Sequence, residues 1–235
     1  MNTIELISTI FIAIGILQFF IVTVDVIRHP QMMFVMNIVW PITGLYFPIL
    51  GIGFYFILGR KDIKTKMEDK HTHSTHNMHH SEPHHHSKKP FWQSVFVSTT
   101  HCSSGCSIGD LMGAPIVFFT GWTIAGSVLL TDYIVEFILA YILGIAFQYY
   151  GMKMKNGNPK DEFKNAIKAD TWSLIAFEVG MFGWMALSHY VFFTEAPKPD
   201  STVFWFMMQI AMTVGFCTSY PANWILVKKE IKHAM

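Results

Sequence analysis

Cys102 and Cys106 stand four residues apart, with His101 just before the first and Asp110 four residues after the second. On a helix Cys102, Cys106 and Asp110 form a stripe along one face. Thiolates are soft ligands, imidazole suits copper and zinc, and a carboxylate adds a harder ligand or proton acceptor. His101, Cys102, Cys106 and Asp110 are therefore a candidate seat for Cu(I) or Zn(II). Two other readings of the thiols stay open. They could exchange electrons, although a helical disulfide at this spacing is strained and the C-x-x-C redox spacing is absent. They could also be small packing residues.

A second group of ligands lies upstream. Eight of the sixteen residues from 71 to 86 are histidine: His71, His73, His76, His79, His80, His84, His85 and His86. The stretch has almost no apolar content, so it is expected to be disordered without a ligand. Its composition reads as metal binding, suited to collecting ions rather than to catalysis. An inert or pH-responsive linker is the competing reading.

Acids inside apolar runs are costly in lipid and face protein or water. Glu136 and Glu178 are on this ground candidates for an ion or proton path, whereas Asp25 and Asp132 suit interfacial anchoring. Gly105, Gly109 and Gly113 repeat at i, i+4 beside the cysteine stripe. Small residues at that spacing let membrane helices approach closely, which suggests a homo-oligomer or membrane partner on this face.

The elements that must carry these residues follow from composition. The chain is 51% apolar and 15% aromatic, with only 14% charged residues and a net charge of +1. That balance fits a lipid bilayer and gives no reason to expect nucleic acid. A membrane crossing needs about 20 mostly apolar residues, and six runs qualify: Ile4–Ile27, Met32–Leu58, a part of Phe91–Leu130, Tyr133–Gly151, Thr171–Phe193 and Val203–Val227. Pro41, Pro48, Gly44, Gly51 and Gly53 predict a kinked second helix. The third run is too long for a simple span, so either an interfacial segment precedes it or one tilted helix starts near Phe91.

The expected fold class is an all-α integral membrane protein with about six transmembrane helices. Of the 17 Lys and Arg residues, only Arg28 and Lys198 fall outside the connections and tail assigned to one side. Lys and Arg mark cytoplasmic segments, so both termini and the disordered His-rich loop are expected in the cytoplasm. The domain reading is a two-helix hairpin over residues 1–58, the His-rich loop over 59–90, a four-helix membrane domain over 91–227 and a basic tail over 228–235.

His101 to Asp110, with Gly144-Ile145-Ala146-Phe147-Gln148-Tyr149-Tyr150 and Ala125-Gly126-Ser127, resembles an uncharacterised bacterial and archaeal membrane family. That family is defined by a domain of unknown function with a His-Cys-x-x-Gly-Cys-x-x-Gly-Asp signature. The resemblance covers roughly Phe91 to Val227 and implies a multi-span domain, with no activity attached. Cation diffusion facilitators resemble the chain in span number, cytoplasmic ends and a His-rich loop. Their paired His/Asp tetrads and C-terminal domain are missing here. Copper importers built on Met-x-x-x-Met spans are a similar analogy.

No phosphate-binding loop, His-Glu-x-x-His or haem-attachment motif occurs, so ATP-driven transport by this chain alone is not expected. No catalytic residue or organic cofactor is proposed, and the chain reads as a carrier or metal-binding protein rather than an enzyme. The functional expectation is a multi-pass plasma-membrane protein that moves or exports Cu(I) or Zn(II). The His-rich loop captures the ion, and the Cys/His/Asp site at the start of the third span receives it. A membrane thiol oxidoreductase using Cys102 and Cys106 and a non-catalytic assembly subunit remain as alternatives.

Overall fold

The computed structural model describes residues 2–31, 33–60, 90–152, 159–229 and 231–232. The histidines from His71 to His86 lie outside the described residues. Within them the chain is helical, without strands: α1 (Thr3–Arg28), α2 (Met36–Tyr46), α3 (Leu50–Phe54), α4 (Phe91–Thr120), α5 (Val128–Met152), α6 (Pro159–Leu187) and α7 (Thr202–Lys228). Five segments are long and apolar enough to cross a membrane: α1, α4, α5, α7 and Asp170–Phe192, which joins α6 to a π-helical turn. The all-helical, multi-span class read from composition is the class found.

Helices α4 to α7 form an up-down-up-down bundle, because each turns back on its predecessor through a short contact-rich seam. The α4–α5 seam is the tightest. A Cβ on Gly105 would reach the Gly144 backbone, one on Gly109 the Ala140 backbone, and one on Gly113 the Glu136 side chain. The glycine stripe is thus closed against α5 of the same chain, and this face is not open to a separate partner. Between α6 and α7, Phe177 packs on Gly215, and Thr218 Oγ1 donates to the Ala176 carbonyl at 2.7 Å. Helix α4 is central, and every residue from Val95 to Ser107 is buried. Three of its buried hydroxyls bond back one turn, Thr99 to Val95, Thr100 to Phe96 and Ser104 to Thr100, whereas Ser103 and Ser107 Oγ have no partner. Phe91–Thr120 is one 30-residue helix. The long-helix reading therefore holds, and Cys102 sits about 17 Å along it.

The second apolar run differs from its expectation. It is not one kinked span but a hairpin that enters and leaves at the same end of α1. At one end, Gln31 N donates to Asn37 Oδ1, Tyr55 Oη donates to Asp25, and Arg60 pairs with Asp25 at 3.1 Å. At the other end, the tip reaches the middle of α1, where a Cβ on Gly15 would meet the Leu45 carbonyl. The local cause is Phe47-Pro48. A residue before proline is pushed out of the α region, and Phe47 takes φ −108°, ψ 74°. Ile49 then adopts φ 73° and the chain reverses. Gly51 allows the returning arm to lie on Gly44, and Gly59 allows it to lie on Trp40.

Irregular backbone at membrane depth must find partners within protein, and here it does. The Leu45 carbonyl accepts from Gln209 Nε2 at 2.9 Å, the Tyr46 carbonyl from Thr213 Oγ1 at 3.1 Å, and Gln18 Oε1 accepts from Ile52 N at 3.0 Å.

This reversal changes the sidedness. Helix α1 runs parallel to α7, with Phe11 against Phe206 and Gly15 against Gln209. Phe91 stacks on Trp224 near the end of α7. Thr3 and Lys228 therefore lie at opposite ends of the molecule, and the expectation that both termini share one side is corrected. Arg28 and Asp25 move to the basic end with Arg60, Pro90 and Lys228. Among the described residues, only Lys198 of the Lys and Arg side chains stands in a connection at the opposite end, so Arg28 no longer counts against the charge bias. An Asn2→Cys probe in a cysteine-free background should react with an impermeant maleimide added to intact cells, and a Lys229→Cys probe should not. Equal reactivity of the two would refute the hairpin.

Candidate functional site

The buried polar side chains of α4 to α7 lie in a line through the bundle, from the basic end to the opposite one. At the basic end, Lys232 folds back under α7, its N–H donating to the Leu226 carbonyl at 3.2 Å. Its Nζ donates to Asp170 Oδ1 at 2.9 Å, with both side chains fully buried. Burial favours the neutral amine, but Asp170 and the nearby thiols of Cys102 and Cys106 outweigh it, and the Lys232 pKa moves up. The ammonium is kept charged.

One turn deeper, Ser173 Oγ donates to Cys102 Sγ at 3.2 Å. Ser173 is itself held by Asn223 Nδ2 at 2.5 Å and by Ser219 Oγ at 3.0 Å. His101 is fully buried, packs on Phe147, and leaves both ring nitrogens without a partner. Cys106 follows, also fully buried, next to Cys102 and Glu178. Tyr46 from the hairpin lies near both cysteines and is fully buried.

Below the thiols lie three acids within electrostatic reach of one another: Glu178, Asp110 and Glu136. Each is at most 2% exposed. Both carboxylate oxygens of Asp110 and both of Glu178 lack a hydrogen-bond partner. Burying an ionised carboxylate without a partner costs several kcal/mol or more, so the group is neutralised by a proton or by a bound cation. No Lys or Arg pairs with these three acids among the described residues. Glu136 and Asp132 then line a cavity of about 400 Å³ at the opposite end, with Tyr133, Trp122, His189 and Lys198 on its walls.

The structure thus brings together His101, Cys102, Cys106, Asp110, Glu136 and Glu178 along one axis. It stretches them through the bundle instead of folding them around a point. Among the described residues no three His, Cys, Asp or Glu side chains converge as a metal-holding group. Met181, Met208 and Met212 are buried in the core with aromatic neighbours.

Three participants were missed in the sequence. Asp170 stands just ahead of the fifth apolar run and reads as a loop acid. Lys232 sits in a basic tail and reads as solvated. Tyr46 lies inside a run that reads as one kinked span. A usable signal existed for Asp170: it shares a helical face with Ser173, Phe177 and Met181.

A family model described as Domain of unknown function (DUF4396) matches residues 91–232. That range holds α4 to α7 and ends at the lysine that pairs with Asp170. Neither a curated protein nor a solved structure matches the chain.

Proposed function

We propose that this chain, which belongs to the DUF4396 family, is a cation carrier of the plasma membrane. Its four-helix domain passes Cu(I) or Zn(II) between the basic, cytoplasmic end and the cavity at the far end. The observation that carries this reading is the run of buried acids without partners, Asp110 and Glu178 above all. Their charge has to be met by protons or by a passing cation.

The thiols of Cys102 and Cys106 suit a soft or borderline ion, and the carboxylates below them suit its release toward water. An ion held successively by few ligands moves more readily than one held in a closed tetrahedral site, and binding weak enough to leave is a condition for conduction. The histidines from His71 to His86 raise the local ion concentration at the cytoplasmic face. The thiol-oxidoreductase alternative has less support. Both thiols are encased in the bundle, which leaves no approach for a second disulfide.

The test is flux in proteoliposomes carrying zinc- and proton-sensitive dyes. Wild type should admit zinc, and Cys102→Ser with Cys106→Ser should slow it by about ten-fold or more, as loss of soft ligands requires. Deleting residues 71–86 should raise the half-saturating zinc concentration and leave the maximal rate unchanged. Wild-type vesicles as tight to zinc and Cu(I) as empty ones would refute the carrier.

A further inference from the structure

The cavity at the end opposite Lys228 holds about 400 Å³, inside the span of about 300–1,000 Å³ usual for small-molecule sites. A bare metal ion has no use for that room. Most of the lining is apolar, and among the described residues no three His, Cys, Asp or Glu side chains converge as a metal-holding group. The walls are built in advance. In the connection after α4, Ile124 N donates to Thr131 Oγ1 at 2.7 Å, and in the one before α7, Trp205 Nε1 donates to the Pro199 carbonyl at 2.8 Å. Between them Tyr133 is fixed by stacking on Phe182, with ring centroids 4.3 Å apart, and by donating to the Phe182 carbonyl at 2.9 Å.

Polar groups are graded by depth. Glu136 and Ser188 stand at the floor, each 2% exposed. The Ser188 hydroxyl is buried without a hydrogen-bond partner. Asp132 lies one turn before Glu136 and is half-buried. Neither acid forms an ion pair among the described residues. Lys198 and Trp122 are exposed and mark the mouth. An anion at the floor would meet the Glu136 charge, and a neutral body would leave that charge unmet. A cation with N–H donors suits both floor groups, since carboxylate and hydroxyl oxygens accept. The rings of Tyr133 and Trp122 add attraction for positive charge.

We propose that this cavity binds a small organic ammonium ion, a protonated primary amine on an apolar body. Its N–H groups donate to Glu136 and Ser188, and its body packs among Tyr133, Phe118 and Phe204. Asp132 draws the charge inward from the mouth. The site does not rest on the metal-carrier reading, because it concerns binding and needs no flux.

The test is equilibrium dialysis of labelled 2-phenylethylammonium against the full chain in phosphatidylcholine nanodiscs, with empty nanodiscs subtracted for partition into lipid. The competitors are 2-phenylethanol, which has the same body without the charge, and 3-phenylpropionate, which reverses it. Wild type should bind one ammonium ion per chain, at least about ten-fold more tightly than the alcohol, as a charge-assisted contact in a buried site requires. The carboxylate should not compete. Glu136→Gln keeps the shape of the floor and should erase the preference for the ammonium over the alcohol. Ser188→Ala should weaken the ammonium by about three-fold or more. It should leave the N,N,N-trimethyl derivative, which has no N–H to donate, unchanged. Alcohol binding kept in both variants shows that the cavity is intact, and Ser188→Ala carries the test if Glu136→Gln does not elute as a monodisperse species. No saturable binding by wild type would mean a hydrated vestibule only and would overturn the site. Equal affinity for ammonium and alcohol, or a preference that survives Glu136→Gln, would overturn it as well.

Discussion

Glu178→Gln is expected to abolish cation flux while leaving stability unchanged or higher. The amide has nearly the shape of the carboxylate, so packing beside Cys106 and Asp110 is preserved. The charge is what changes. Glu178 is 2% exposed, its two oxygens lack partners, and two further acids lie close by. Removing one of three buried acids removes the cost of its ionised form in this environment, so stability is expected to hold or rise. Transport should fall by about a hundred-fold, because a neutral amide offers no negative charge to a passing cation and no titratable proton at this step. The two readouts move in opposite directions, which a residue serving only as structural glue would not produce. Flux that survives Glu178→Gln and Asp110→Asn together would remove the acids from the path.

Gly109→Val should have the largest effect on the fold. Even the first carbon of a side chain at this position would lie inside the backbone of Ala140, with no flexible neighbour to give way. Helices α4 and α5 would have to separate along their tightest seam, opening the contacts of Gly105 and Gly113 as well. Overpacking of a core costs about 1–3 kcal/mol, occasionally more, and a backbone clash belongs at the upper end. The expected result is loss of the monodisperse species in detergent, or a melting temperature lower by several degrees. Gly183→Ala is the matched control. It also lies in a helix, but its Cβ would meet nothing within 4 Å, so it should be neutral or slightly stabilising through helix propensity. Equal effects of the two would mean that the seam is looser than described.

The glycine stripe shows how far local sequence carries an argument and where it stops. Spacing at i, i+4 announced a close helix contact, and a close contact is there. The partner was not legible, since Gly144 and Ala140 acquire meaning only once α5 turns back on α4. The Met32–Leu58 run is a similar case. Its prolines and glycines announced a break, but a kink and a full reversal begin with the same residues. What decides between them is the supply of partners for the exposed backbone, and Gln209 and Thr213 stand more than 160 residues away in sequence.

The side of the termini depended on that distinction, whereas the basic character of one end did not, because charge counts survive an error in span number. Asp170 and Lys232 were hidden for the same non-local reason. Each reads as a surface charge until the tail folds under α7. The cysteines, His101, Asp110, Glu136 and Glu178 were legible as unusual residues in apolar surroundings. Their arrangement as a line rather than a cluster was not.

The hairpin has a consequence for the order of synthesis. Its tip depends on side chains of α7, the last helix to leave the ribosome. Until Gln209 and Thr213 arrive, the Leu45 and Tyr46 carbonyls have no protein donors at that depth. Neither arm is long enough to cross the bilayer alone. Met36–Gly59 is therefore expected to settle fully only once α7 has docked, as a late step. A chain released before residue 209 would hold its long helices in the membrane and leave this segment open to protease, so nicking there would report whether the last helix has docked.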